Sequence, residues 1–510
     1  MKTLYDVIVV GGGGSGLAAA VSAAENGMDV AILEKNSHLG GTTGIAIGSF
    51  SANRTLLQRK AGIEDTLESH VEDAAKFADP EIDSRNNDDL RRFFLGHSGE
   101  TIQWLMDMGV SFYGPNPEPP NRVPRMHNAI PNAKAYIAAL QVRLLRLRGT
   151  IICKTPVCKL VCDNGQVNGV EARIEGKSTL FKAKQGVVLA TGDYPNSAEI
   201  IAKYKGPQYS NIGGINETAT GDGHLLAREV GARLVNMDLT YGPEIRFIPS
   251  RKKNLTQILP AKGPLARIMG RLMPLVPQAV VNTVIKRLLV TWQHPENAIL
   301  DDGAILVNSR GGRFCDETRW PDREIAIAAQ PDGICYLLLD KRLIERYSAW
   351  PHFVSTAPEI AYAYVADYLR LRPDIAVSDN SVERVAQRRN IPPGALRQTV
   401  ESFNRFATGI TSDPFDRGGN VRPLDGNRWV LLGPAKAYFT TTAGGVAIDE
   451  QLHVLDDSGS PIPGLYAVGL VGTGGQVLWG HGLNIAWALT SGRLVGKCIA
   501  NSDSFALPYS

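Results

Sequence analysis

YDVIVVGGGGSG, Tyr5 to Gly16, is the stretch on which the fold turns. Tyr5 to Val10 is a short, β-branched, almost uninterrupted apolar run, the pattern of a parallel strand covered on both faces. Glycines follow at once: Gly11, Gly13 and Gly16 fit GxGxxG, with Gly14 and Ser15 inside the motif. Leu17, Ala20, Val21 and Ala24 then recur at helical spacing until Gly27. A second apolar run, MDVAIL, leads to Glu34, 18 residues beyond Gly16. A side chain at the first glycines would keep an anion from the free amides and the dipole of the helix N-terminus. An acid closing the second strand is placed for ribose hydroxyls. A lone glycine motif is weak, but strand, glycine turn, helix, strand and acid in register predict a Rossmann-like α/β domain that binds a dinucleotide.

The rest of the chain bounds what such a domain serves. With 510 residues it can form two to four domains and bury a large core. Its 54 basic and 51 acidic residues leave a net charge of +3, too balanced for a dedicated nucleic-acid binder. The six cysteines form neither a CxxC pair nor a dense framework, which predicts a reduced, cytoplasmic setting and no structural metal. The N-terminus enters its strand without the features of a signal peptide. Residues 458–492 lack Asp, Glu, Lys and Arg, yet glycines, prolines and the polar Gln476, His481 and Asn484 break the run, so no membrane span is expected there.

Beyond Glu34 and Lys35 come Gly40, Gly41, Thr42, Thr43 and Gly44. This segment resembles the EKxxxxGGxT segment of the fumarate reductase and 3-ketosteroid dehydrogenase superfamily of FAD-dependent flavoproteins. Further segments are similar in the same order. They are the strand-like run that contains Val157, then Ala190-Thr191-Gly192, then the TGDG start of a helix with Asp222. Near the end come TAGGVAID, PIPGLYAVG closing on Gly469 and followed by Leu470, and GHGLNIAWALTSGRLVG with Asn484, Ile485 and Ala486. The resemblance implies that these residues and the first glycines hold FAD. The loop GGTTGIA offers no histidine for a covalent link, so the flavin is expected to be non-covalent. It further implies a fold in which a Rossmann-like FAD-binding domain, 1–235 and 435–510, is interrupted by an α+β capping, catalytic domain, 236–434. Substrate would lie between the two, and an external electron acceptor or donor would complete the turnover.

In the fumarate branch positive side chains clamp a dicarboxylate. Here VLWGHGLNIAW, Val477 to Trp487, contains no Arg, and the segment around TTTAGG lacks that branch's His. Arg319 and Arg323 fall near the place of a catalytic Arg after RFCDE, although surface or salt-bridging roles suit them as well. A small dicarboxylate is therefore disfavoured. In the ketosteroid branch a Gly-x-Gly turn offers an amide to a ketone, and Gly480-His481-Gly482 fits that turn, with Trp479 supplying apolar area. The expectation is an oxidoreductase of the CH–CH class that desaturates a hydrophobic, steroid-like or cyclic ketone beside its carbonyl. Gly482 would stabilise the enolate, and Tyr113, Tyr241 or His481 would handle the proton while a hydride leaves to flavin N5. Direction is not written in residues. The reverse chemistry, reduction of an enone or enoate C=C bond, stays open, as does a peripheral membrane flavoprotein that mainly passes electrons. The absence of an Fe–S or haem motif argues against a self-contained relay.

Between Glu244 and Glu296 no acid occurs, while nine basic residues from Arg246 to Arg287 alternate with bulky apolar ones. Its longest uncharged run, Leu272 to Ile285, is too short to span a bilayer. This insertion, 246–295, suits contact with an anionic membrane surface at the inner face, or packing against the flavin domain or a second subunit. An oligomer is compatible with the second case.

Overall fold

The computed structural model describes residues 2–249, 283, 286–287, 289–291, 293–357, 361–419 and 421–500. β1 (Leu4–Val10), α1 (Gly14–Glu25) and β2 (Val30–Leu33) follow one another as the opening pattern requires. β1 lies between β2 and the long strand Lys177–Leu189, parallel to both, and Val7, Ile8 and Val9 are fully buried. This explains a run with no polar alternation. Outward from β2 lies Thr150–Ile152, and beyond Lys177–Leu189 lies Pro461–Ala467, again parallel. Among the described residues this sheet has eight strands, completed by His453–Leu455 and the hairpin Val157–Asp163 with Gln166–Ile174. The two ends of the chain thus meet in one sheet.

They also meet in one helix pair. The C-terminal helix, Leu483–Ala500, lies on α1, and two of its glycines permit the approach. A Cβ on Gly492 would stand 2.4 Å from Ser15 O, and one on Gly496 would stand 2.4 Å from Ala23 N. Such distances leave no room for any side chain.

A second sheet, six strands among the described residues, is organised around Trp429–Phe439. That strand pairs with Gly213–Gly214, Glu244–Phe247, Cys335–Leu339 and Ala376–Asp379, while Ile305–Val307 sits outside Cys335–Leu339. Two apolar cores result. Ile200, Ile201 and Ile212 pack in the second core, whereas Leu226, Ala227 and Ala232 return to the first. The chain therefore crosses between layers ahead of residue 236, and Trp429–Phe439 runs through the expected boundary at 434–435. Sequence reading drew single cuts where the chain passes back and forth.

Residues 250–282, which carry most of the basic, apolar insertion, lie outside the described residues, as do those from 501 onward. Among the described residues no helix is long and apolar enough to cross a membrane.

Candidate functional site

At the C-terminal edge of β1 the backbone makes a cradle. Gly11, at φ +108°, lies so close to the neighbouring strand that a Cβ would stand 2.5 Å from Ala190 O. A Cβ on Gly16 would stand 1.9 Å from Gly11 O, and one on Gly14 would stand 2.6 Å from Thr43 Oγ1. These three glycines are required by packing. Gly13 differs: the nearest heavy atom to its hypothetical Cβ is Gly40 O at 4.0 Å, so the space in front of it is open. That space faces the first turn of α1, whose amides have no intrahelical acceptor. A phosphate or pyrophosphate fits a cradle of this kind.

The cleft in front of the cradle is walled by residues from both ends of the chain. Gly11, Gly13, Gly14, Ser15, Glu34, Lys35, Gly41, Thr42, Thr43, Val157, Ala190, Thr191, Gly192 and Asp222 line it, together with Leu470, Asn484 and Ile485. Glu34 is buried; its Oε2 accepts from Gly12 N at 2.7 Å and its Oε1 from Asn36 N at 2.7 Å. Lys35 Nζ donates to Asp222 at 2.8 Å and to Thr220 Oγ1 at 2.6 Å, tying β2 to the TGDG turn.

Five expected residues stand behind this wall. Gly16 packs on Gly11, and Gly40 and Gly44 close a turn through Gly44 N to Gly40 O at 2.8 Å. Gly469 accepts from Trp487 Nε1 at 2.9 Å, and Ala486 is fully buried in the helix. Thr155, Asn216, Thr440 and Thr441 line the cleft without having been foreseen. Asn216 donates to Thr42 Oγ1 at 2.9 Å, a link between segments far apart in sequence that leaves no local signal.

Beside Asn484 and Ile485 the C-terminal helix begins with the turn Gly480-His481-Gly482. Gly482 has φ +84°, and a Cβ there would stand 2.8 Å from Ser51 N, so only glycine fits. His481 Nδ1 lies 2.7 Å from Glu118 Oε1, and the His481 backbone N–H donates to the same oxygen at 2.8 Å. Glu118 is 6% exposed, whereas the His481 side chain is 54% exposed. The bond to Glu118 outweighs desolvation and raises the histidine above its usual range. Glu118 lies in the FYGPNPEPPN stretch, and no sequence feature singles it out.

Tyr241 leans on Trp479, with ring centroids 5.3 Å apart at 35°. Burial, with the charge of Glu244, pushes the Tyr241 phenol up, so the tyrosinate expected of a base is disfavoured. Tyr113 has no hydrogen bond to His481 or Glu118 among the described residues. It pairs with Asn128 of Met126–Ile130, whose other neighbour, Ser49–Ser51, is the strand that meets Gly482.

Arg246 lies against the wall of the cleft. Its Nη2 donates to Glu244 Oε2 at 2.8 Å and to Thr440 Oγ1 at 3.0 Å. A carboxylate already matches this cation. Arg323 is buried and bonded to Glu324 at 2.6 Å, to Glu317 O and to Asn297; Arg319 is exposed. Asp193, beside Gly192, is 3% exposed. Its Oδ2 accepts only long bonds from Thr441 Oγ1 at 3.3 Å and Thr442 N at 3.4 Å, and burial pushes its carboxyl up to about 6. Among the described residues no group of three or more His, Cys, Asp or Glu could hold a metal ion, and the cysteines are free.

Comparison with known proteins agrees with the cradle. The model of a family described as FAD binding domain matches residues 6–480. A urocanate reductase of Eggerthella lenta is 28% identical over 480 residues, 92% of this chain and 70% of that protein. An NADH:fumarate oxidoreductase of Klebsiella pneumoniae is 25% identical over 92% of this chain, which spans only 44% of that relative's length. Among solved structures, the open conformation of a flavocytochrome c3 fumarate reductase superposes with a TM-score of 0.70 at 25% identity, covering 98% of this chain and 78% of that one.

Proposed function

The chain belongs to the FAD binding domain family and is an FAD-dependent oxidoreductase, and we propose that it reduces the C=C bond of a ring-bearing substrate in which that bond is conjugated with a carbonyl. The observation that carries this reading is His481, bonded at 2.7 Å to a buried carboxylate at the start of the helix whose next residues, Asn484 and Ile485, line the cleft. FAD, when bound, exchanges hydride with carbon. The chain's own residues do the rest.

Gly13 and the first turn of α1 would receive the pyrophosphate, and Glu34 would face the ribose. The Gly482 N–H, which donates to no protein group among the described residues, is free for the carbonyl oxygen and for the charge that develops there. His481, kept protonated by Glu118, would give its proton to the carbon beside the carbonyl. Trp479 and Tyr241 would cover the ring. The bond to Glu118 favours the protonated histidine, and a proton donor at this place supports reduction over the desaturation expected from the Gly-x-Gly turn. The urocanate reductase is also named for a reductive activity. Arg246 and Glu244 match each other's charge, so a dicarboxylate clamp is not favoured. Electrons would come from a separate donor.

The test is anaerobic. Enzyme reduced with dithionite should be reoxidised by aryl enones, while oxidised enzyme should not be bleached by the saturated ketones. Bleaching by saturated ketones without reoxidation by enones would overturn the proposed direction.

A further inference from the structure

Two buried polar atoms of the His481 corner find no hydrogen-bond partner among the described residues: Glu118 Oε2 and Trp479 Nε1. Glu118 spends its other oxygen twice, on His481 N and on His481 Nδ1. Trp479 stands two residues ahead of His481, its ring against Tyr241, and Tyr241 in turn feels the charge of Glu118. An unmatched acceptor and an unmatched donor therefore belong to one corner, beside the proton donor of the reaction. Buried polar groups in folded proteins are almost always satisfied, by protein, water or ligand.

The chemistry of the two atoms narrows the ligand. A carboxylate oxygen only accepts, and an indole N–H only donates. A carboxylate would suit Trp479 but be repelled by Glu118. An ether oxygen accepts and cannot donate, and an ammonium donates and cannot accept. A hydroxyl does both.

We propose that this corner is a hydroxyl-binding subsite, in which a phenol or ring alcohol of the substrate donates to Glu118 Oε2 and accepts from Trp479 Nε1, its ring lying against Trp479 and Tyr241. The proposal rests on the reductive reading of the same site and names its substrate class, a hydroxylated ring compound that carries the conjugated C=C bond.

The experiment uses the oxidised, FAD-loaded enzyme and follows the flavin spectrum on titration with para-hydroxyacetophenone, para-methoxyacetophenone and acetophenone. The hydroxyl compound should bind about tenfold or more tightly than either analogue, because each analogue leaves a charged acceptor unmatched. In Trp479→Phe, which keeps a ring, and in Glu118→Gln, that preference should fall to about threefold or less. Equal affinity for all three ligands in the wild type would mean that water alone satisfies the pair, and the subsite would be lost. So would a preference that survives both substitutions. Reduced enzyme is then mixed with para-hydroxycinnamaldehyde and with cinnamaldehyde. Reoxidation by both at equal apparent affinity sinks the subsite and leaves the reductase. Reoxidation by neither, with the binding preference intact, sinks the reductase and leaves the subsite.

Discussion

The glycine cradle and the His481 corner adjoin the same turn of the C-terminal helix, but they are made of different material. The cradle is backbone. Its shape follows from places where no side chain fits, Gly11, Gly14 and Gly16, and from one place, Gly13, where a side chain would fit the protein but fill the cleft. The corner is side chain, assembled from Glu118, Tyr241, Trp479 and His481. These four residues arrive from three separate segments, with Trp479 and His481 on one turn. A site made by the absence of side chains constrains neighbouring residues and so writes itself into a contiguous motif. A site made by converging side chains constrains only the tertiary fold.

That contrast can be broken at its strongest point. In Gly16→Ala the new methyl would meet Gly11 O, a backbone atom that cannot swing aside. The expected cost reaches about 3 kcal/mol or more, the upper end of overpacking, with loss of folded, yellow protein on expression. Gly13→Ala should behave otherwise. It should fold with a melting temperature close to the wild type while FAD affinity falls on the order of a hundredfold, as the methyl stands where the pyrophosphate meets the helix N-terminus. Thermal melts of apoprotein beside FAD titrations separate the two. Equal loss of stability in both variants would erase the distinction between packing glycines and a ligand glycine.

On the side-chain half, His481→Ala should slow turnover by about a hundredfold to ten-thousandfold, the range of a lost general acid. The pH profile is the sharper measurement. Glu118 raises the histidine in the folded enzyme, so the active, protonated form persists to higher pH and activity falls as pH rises through that raised value. Glu118→Gln removes the cause, and the fall should begin at lower pH. An alkaline limb that stays in place in Glu118→Gln would remove His481 from the proton step.

Much of the flavin-binding half was legible because each step was local: the β1 run, the glycines, the acid at Glu34, and the returning glycines around Gly469 and Gly482. Its misses share a physical origin. Gly16, Gly40, Gly44, Gly469 and Ala486 carry the motif but serve the wall from behind, since a motif records where bulk is forbidden and not which side the ligand occupies. Asn216 and Thr440 reach the cleft only through tertiary contacts. The corner was half legible. His481 and Gly482 belong to a turn that reads as functional, whereas Glu118 sits among prolines with nothing to distinguish it. Arg246 was grouped with the basic insertion because charge alone cannot tell the last strand residues from the segment that follows. The early crossing of Ile200, Ile201 and Ile212 into the second core was hidden as well, since apolar spacing reports burial without naming the core.

Asp193 tests whether the boundary between the halves carries a cost. Its carboxyl has a folded value of about 6 against 3.8 unfolded, so between those values the folded state holds more protons than the unfolded one. Stability therefore falls as pH rises from about 4 to about 6 and stays lower above, by about 3 kcal/mol at 1.36 kcal/mol for each pH unit of difference. Asp193→Asn should recover much of this at pH 8 and little at pH 4, measured by denaturant unfolding at the two values. A variant no more stable at pH 8 would show that the carboxylate is better solvated than its two long bonds indicate.

The smallest effect is expected at Tyr113, and it decides how far the corner extends. Its strand, Ser111–Asn116, is separated by Met126–Ile130 from Ser49–Ser51, whose Ser51 N–H donates to Gly482 O. Among the described residues the Tyr113 phenol has no hydrogen bond to His481 or Glu118, so Tyr113→Phe should leave kcat and kcat/KM within about twofold, the range of substitutions away from a site. Tyr241→Phe, which keeps the ring against Trp479, is the matched control within the corner. If Tyr113→Phe instead lost tenfold in kcat with Tyr241→Phe unchanged, the Ser111–Asn116 strand would act on His481 through the Glu118 that follows it. The side-chain half of the site would then extend one strand beyond the four converging residues.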